Sequence, residues 1–338
     1  MTVRLFDWRD LPAIHRYRQD CVFLDSALVL TRGPLLVERA LFSSFAPSMV
    51  GVFTCVVDGE RINNEPRIGQ SSNGQSAIGH PNIGHPMFGQ PIIGQFMHLW
   101  DSPFSYLTFL APQSALESPR VSALIEYMTT LSGERGALRL LADVDERTQV
   151  FEILHKCGFA IYTRQRVWQI TSTLPGNPPA NNWRAATSRD VIPIRSLYNN
   201  LVPALVQQAE PFSSRPPNGL VCYQKDELLA YVELQRGRRG IWAHPFVHPD
   251  AENVPERFID LLSKIPGRKT RPMYFCVRSY QSWLEPVIEE LGAEAGLRQA
   301  VMMKQLATPQ KVARPFALPA LEKGKPEITA PAAHLESE

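Results

Sequence analysis

The feature that most constrains this chain is that it repeats itself. Arg4, Arg9, Asp10 and Ile14 recur as Arg184, Arg189, Asp190 and Ile194, each pair 180 residues apart. VFTCVVDGE (52–60) and LVCYQKDE (220–227) both read as a strand running into a turn, with Glu60 and Glu227 167 apart. FSYLTFLAP (104–112) and WAHPFVHP (242–249) follow, with Pro112 and Pro249 137 apart. CGFAIYTRQRVW (157–168) and LGAEAGLRQAVM (291–302) then share Gly158 and Gly292, Arg164 and Arg298, Gln165 and Gln299, all 134 apart. Matched order and spacing over most of 338 residues imply duplication of one unit. Each copy reads β, helices, β, β, β, helix, β, helix, β. The fold class is therefore α/β (α+β): two tandem domains, each a mixed, mostly antiparallel sheet flanked by helices.

The offset falls by 30 residues between the second and third landmarks, across a stretch where Gly69, Gly74, Gly79, Gly84, Gly89 and Gly94 recur every five residues. The six units RIGQS, SNGQS, AIGHP, NIGHP, MFGQP and IIGQF account for the difference. They read as a tandem expansion of the start of a strand, placed where the second half has a tight hairpin. With Gly at every fifth position and Pro81, Pro86 and Pro91 between, the stretch reads as a loop. His80 and His85 are too few for a metal-binding tract. TSTLPGNPPANN (171–182) has the composition of a linker. The Pro-, Ala- and Glu-rich tail suits disorder. The resulting map is 1–170 with an insert at about 62–92, a linker at 171–182, a second domain at 183–306, and a disordered tail at 307–338.

Composition excludes several classes. A formal net charge of +2 and the lack of any Lys/Arg run argue against a nucleic-acid or membrane-surface binder. The charged start MTVRLFDWRD is no secretory signal, and no apolar run spans a bilayer, so a cytoplasmic location is expected. Cys21, Cys55, Cys157, Cys222 and Cys276 are scattered and form no CxxC pair, which indicates neither a disulfide framework nor a metal site.

Three landmarks carry a family resemblance: the R-x4-R-D-x3-I opening in VRLFDWRDLPAI and WRAATSRDVIPI, the hydrophobic-x-Pro strand ends TFLAP and PFVHPDA, and the helix–Gly–strand close FEILHKCGFAIYTRQRVWQI. Together they resemble the GNAT family of N-acetyltransferases over roughly 1–170 and 183–306. The resemblance implies acetyl-CoA as co-substrate and an amine acceptor, a small molecule or peptide. It implies a donor site at Leu110, Ala111, Ser118 and Arg120, where loop amides and a helix start would face the pyrophosphate.

The sequence departs from the family's loop pattern [RQ]-x-x-G-x-[GA]. Those positions hold Ala115, Ser118 and Arg120 in the first half, and Glu252, Pro255 and Arg257 in the second. The positions of the family's late-helix Tyr hold Leu154 and Ile288, and those of its Asn hold Arg147 and Gln281. The second loop's Asp250, Glu252 and Glu256 would repel a pyrophosphate, which makes the first half the expected working copy.

The weak catalytic candidates are His98 and Asp101, near the end of a central strand; the competing reading is a solvated hairpin. His155 reads as a surface residue, Cys157 as helix-end packing, and the RGRRG turn (Arg236, Arg238, Arg239) as a phosphate grip or a solvated hairpin tip. His244 and His248 share a strand face but lack the further ligands of a metal site, so none is expected. Two functions follow: an acyl-CoA-dependent N-acyltransferase, or a non-catalytic protein that keeps the fold to bind a small molecule or partner. In both, the two domains are expected to pack on each other.

Overall fold

The computed structural model describes residues 2–33, 51–59, 90–100, 102–171, 183–213 and 215–306. The first half opens with β1 (Val3–Leu5), which leads through a 3-10 turn at Trp8–Asp10 into α1 (Leu11–Arg16). The repeated Arg and Asp make this turn. Arg4 Nη1 and Nη2 donate to the two Asp10 carboxylate oxygens at 2.7 and 2.8 Å, and the Asp7 amide donates to Asp10 Oδ2 at 2.9 Å. A charge-assisted clasp thus fixes where the strand ends and the helix begins. Next come β2 (Val22–Phe23), α2 (Ser26–Arg32), β3 (Val52–Val57), β4 (Ile92–His98) and β5 (Phe104–Ala111). Then α3 (Pro119–Glu134) precedes β6 (Arg139–Asp145), and α4 (Gln149–Lys156) precedes β7 (Ala160–Ile170). In α3, Ser118 caps the start, Pro119 takes the first turn, and Val121, Leu124, Ile125, Met128 and Leu131 supply one buried stripe.

The second half repeats the series: β8 (Trp183–Ala185), α5 (Val191–Leu201), α6 (Ala204–Ala209), β9 (Gly219–Gln224), β10 (Glu227–Arg236), β11 (Ile241–Val247), α7 (Val254–Lys264), β12 (Met273–Arg278), α8 (Leu284–Glu290) and β13 (Glu294–Gln305). Its opening clasp is the same, with Arg184 on both Asp190 oxygens at 2.8 and 2.7 Å and the Thr187 amide at 2.8 Å. The expected tight hairpin is present: Gln224 faces Glu227 across Lys225 and Asp226, whose φ of 50° and 68° suits a two-residue primed turn. In the first half the IIGQF unit forms the start of β4, and Val57 faces Ile92 in the β3–β4 ladder. The earlier repeat units, the linker and the tail lie outside the described residues.

The strand order is β1-β3-β4-β5-β6-β13-β7-β12-β11-β10-β9-β8, one 13-stranded sheet with β2 paired on β5. Both halves keep the same order, but neither completes its sheet with its own last strand. The second half's β13 lies between β6 and β7, and β7 in turn pairs with β12. The central β7–β13 pair is antiparallel, and Gln165 stands opposite its repeat counterpart Gln299, side chain to side chain at 3.0 Å. The duplication thus has a pseudo-twofold axis through this pair. One core lies under α3 and α4 and another under α7 and α8. A third joins the halves, packing Leu141 and Val301 with Tyr198, Val206, Tyr231 and Phe246.

Candidate functional site

Each half contains one pair of adjacent parallel strands, and each pair comes apart. β5 and β6 hold ladder register for Phe104–Tyr106 against Arg139–Leu141, and β11 and β12 for Ile241–Ala243 against Met273–Phe275. Past those residues the strands diverge, leaving backbone N–H and C=O groups that need partners. In the first half the chain supplies them itself. β2 pairs with Phe109 and Leu110, the Leu24 amide donates to the Thr108 carbonyl at 2.9 Å, and the Asp143 amide donates to the Leu24 carbonyl at 2.8 Å. The Ser26 amide reaches Asp143 Oδ2 at 3.1 Å, and Ser26 Oγ donates to Gln299 Oε1 at 3.0 Å. Leu24 is fully buried in this wedge. Among the described residues no segment makes the corresponding bridge between β11 and β12. There Gln281 Nε2 donates to the Val247 carbonyl at 3.3 Å.

A polar cluster lies beside this second opening. Glu210, after α6, accepts from Arg278 Nη2 at 2.9 and 3.1 Å and from the Tyr162 hydroxyl, while the Tyr198 hydroxyl donates to the Glu210 carbonyl at 2.5 Å. Burial opposes the charge on Arg278, yet Glu210 holds its guanidinium firmly protonated. Arg278 is 6% exposed, and its Nε and Nη1 have no hydrogen-bond partner among the described residues. Glu233 and His244 face each other across the β10–β11 ladder. Burial, with Glu210 nearby, pushes the Glu233 carboxyl up to about 6. Burial, with Arg278 nearby, pushes the His244 imidazole down to about 3, so it is neutral at physiological pH. Aromatic rings pack next to this cluster: Phe246 lies 4.5 Å from His244, 5.7 Å from Tyr198 and 6.1 Å from Tyr231, centroid to centroid.

The residues singled out from sequence fare differently. His98 is buried and not part of a solvated hairpin: its Nδ1 bonds Ser105 Oγ at 3.1 Å, and Ser132 Oγ of α3 continues the chain at 2.6 Å. Burial lowers its pKa, and the pseudo-twofold puts it far along the sheet from Glu233. Asp101 lies outside the described residues. Leu110 and Ala111 are buried, and the free edge of Leu110 is taken by Val22. Ser118 accepts from Arg120 N and Nε at 3.3 and 3.1 Å, and Arg120 Nη1 reaches the carbonyls of Asp58 and Gln90. Both therefore serve their own helix start. Leu154 and Ile288 are core residues, and the adjoining Gly158 and Gly292 close their helices at φ of 85° and 77°. His155 is exposed and Cys157 buried, as read.

The arginines of the RGRRG turn, Arg236, Arg238 and Arg239, are exposed, while its backbone is docked. The Arg239 amide donates to the Thr31 carbonyl at 2.9 Å, docking the hairpin on α2. A Cβ at Gly237 would lie 2.1 Å from that carbonyl oxygen, which explains the glycine. Glu233, Glu210 and Arg278 were not among the sequence candidates. The available signal was Glu233, a lone acid in the apolar run LLAYVEL (228–234).

Two like-ordered halves of one sheet, each with a parallel pair that loses its ladder part-way and each completed by the other's final strand, define a doubled α/β fold. That fold is the one found in GNAT acetyltransferases. The chain is similar to the crystal structure of a GCN5-related N-acetyltransferase from Sphaerobacter thermophilus, with a TM-score of 0.52 at 12% identity, covering 90% of this chain and 95% of that one. It is also similar to a tandem GNAT protein from the clavulanic acid biosynthesis pathway, with a TM-score of 0.47 at 12% identity, covering 90% and 98%. No family model matches the sequence, and no curated protein is similar to it.

Proposed function

We propose that the protein is an acyl-CoA-dependent N-acyltransferase whose working cleft is the β11–β12 opening of the second half. The observation that carries this is the asymmetry of the two openings: Leu24 and β2 fill the first, and no described segment bridges the second. This reverses the assignment expected from the loops. The amides of a pantetheine arm match what diverging strands offer, since an extended ligand adds to a free strand edge as a further strand would. Glu233 stands beside the opening with a pKa of about 6, suited to taking a proton from an amine near neutrality. In the transfer, the acceptor nitrogen bonds to the acyl carbon, the thioester C–S bond breaks, the amine loses a proton to the base, and the thiolate regains one.

The pyrophosphate end fits less well. Asp250 and Glu252 are exposed in the loop, Pro255 has no amide hydrogen, and Arg257 is bound to Gln224, Cys222 and the Glu252 carbonyl. Donor affinity is therefore expected to be weak. These same departures support the second reading, a non-catalytic binder.

Hydrogen exchange of the full chain with millimolar acetyl-CoA tests the proposal. Protection is expected at 244–248 and 276–278, with 108–111 unchanged, together with acetyl transfer to an amine. Protection at 108–111 alone would refute the placement. Protection without turnover on any amine would favour the binder.

A further inference from the structure

The second half carries opposite charge at the two ends of its strands. At one end the β10–β11 hairpin RGRRG meets the end of α2 and the turn before β12. The Arg239 amide donates to the Thr31 carbonyl at 2.9 Å, and Arg271 Nη1 donates to the Gly237 carbonyl at 2.7 Å. Arg32, Arg236, Arg238 and Arg239 are exposed and Arg271 is half-buried. None of the five is in an ion pair with a described residue. Asp260 of α7 is buried, and the exposed acids at this end, Glu289, Glu290 and Glu294, belong to α8 and β13. Glu294 stands opposite Gln169, Gln169 opposite Tyr274, and Tyr274 opposite Trp242. Three ladder spacings, roughly 14 Å, thus separate Glu294 from the strand that carries the hairpin.

At the other end the β9–β10 turn adjoins the loop after β11. Gln224 joins them, accepting from Arg257 Nη2 at 2.6 Å and donating to Glu252 Oε2 at 3.5 Å. Asp226, Glu227, Asp250, Glu252 and Glu256 are exposed there, and no lysine or arginine among the described residues forms an ion pair with them. Five carboxylates against Lys225 and Arg257 leave a net charge of −3. His248 Nδ1 lies 3.6 Å from Asp250.

The duplicated backbone does not require either feature. The first-half hairpin between β4 and β5 reads LWDSP (99–103), without a cation, and its loop after Pro112 reads QSALESP (113–119), with Glu117 as its one acid. Nor can the two ends neutralise each other within one chain. The ten residues of β10 hold them roughly 30 Å apart, and screening acts over about 10 Å at 0.1 M salt. Between two chains placed end to end they can, and a guanidinium is suited to paired hydrogen bonds with a carboxylate.

We infer that the second half is a self-association element: the arginine face of one copy receives the acidic turn and loop (225–227 and 250–256) of a second copy. The contact is head to tail, so it propagates into a ring or a linear array and does not close as a twofold dimer. It does not rest on the acyltransferase reading. A phosphate polymer would account for the arginines but leave the acidic end unexplained.

The test uses the full chain without acetyl-CoA. Sedimentation velocity from 10 to 500 μM at 20 mM NaCl should show a mass that rises with concentration, and at 500 mM NaCl the monomer alone. Arg236→Glu with Arg238→Glu, and separately Asp250→Lys with Glu252→Lys, should each weaken association at least tenfold. Each double variant then has like charge at both ends, so an equimolar mixture of the two should associate again, as should one chain carrying all four changes. A melting curve of each variant establishes that it is folded, and the salt series on the parent needs no variant. A parent that stays monomeric at 20 mM NaCl, association unchanged at 500 mM NaCl, or variants that fail to associate when mixed would each overturn the inference. A monomeric parent that binds an RNA duplex or phosphatidylserine vesicles through Arg236 and Arg238 would assign the face to a polyanion instead.

Discussion

Cutting the chain within 171–182 should leave two fragments that cannot fold as monomers, because each needs the other's last strand. A first fragment ending at residue 176 lacks β13, whose Val301 and Met302 are fully buried and whose following Leu306 is 7% exposed. At roughly 1.5–3 kcal/mol per buried large apolar side chain, these three alone contribute about 5–9 kcal/mol. Total stabilities are only about 5–15 kcal/mol. The complementary fragment loses Tyr162, Trp168 and Ile170 of β7, all buried, with a similar consequence. The pseudo-twofold adds a sharper expectation. Since Gln165 faces its own counterpart Gln299, a second copy of the first fragment can offer its β7 where β13 normally lies. The isolated first fragment should therefore fold only as a homodimer, with a melting temperature that rises with concentration. Mixing the two fragments should restore a one-to-one complex. Light scattering after size exclusion and concentration-dependent circular dichroism provide the assay. A fragment that is monomeric, cooperative in unfolding and insensitive to concentration would refute the strand exchange.

Glu233→Gln should change the pH dependence of stability. The folded pKa of Glu233 lies above its unfolded value, so the group costs nothing below about pH 4.5 and destabilises the fold as pH rises through about 6. The variant should be more stable than the parent by about 2 kcal/mol at pH 8 and nearly equal at pH 4.5, by urea denaturation. Gly237→Ala drives a Cβ into the Thr31 carbonyl and should cost about 1–3 kcal/mol while loosening α2, seen as faster amide exchange at 26–33. Replacing residues 60–89 by a two-residue turn should leave the melting temperature nearly unchanged, because each doubling of loop length costs only about 0.6 kcal/mol and Val57 already faces Ile92.

The sequence by itself determined the duplication, and with it the class of fold. The landmarks are local devices: Arg4 with Asp10 and Arg184 with Asp190 close a turn within six residues, and Gly158 and Gly292 end a helix by taking a positive φ. Such features need only near neighbours, so they leave a spaced signature. The tertiary structure decided which cleft is filled and which last strand completes which sheet. β7 and β13 have the same pattern, so either could pair with either half, and only the packing of both around Gln165 and Gln299 selects the exchange. Leu24 reads as one more apolar residue until it is seen bridging Thr108 and Asp143. Glu210, Glu233, His244 and Arg278 come from four separate elements, and their charges acquire meaning only when the fold removes water from among them.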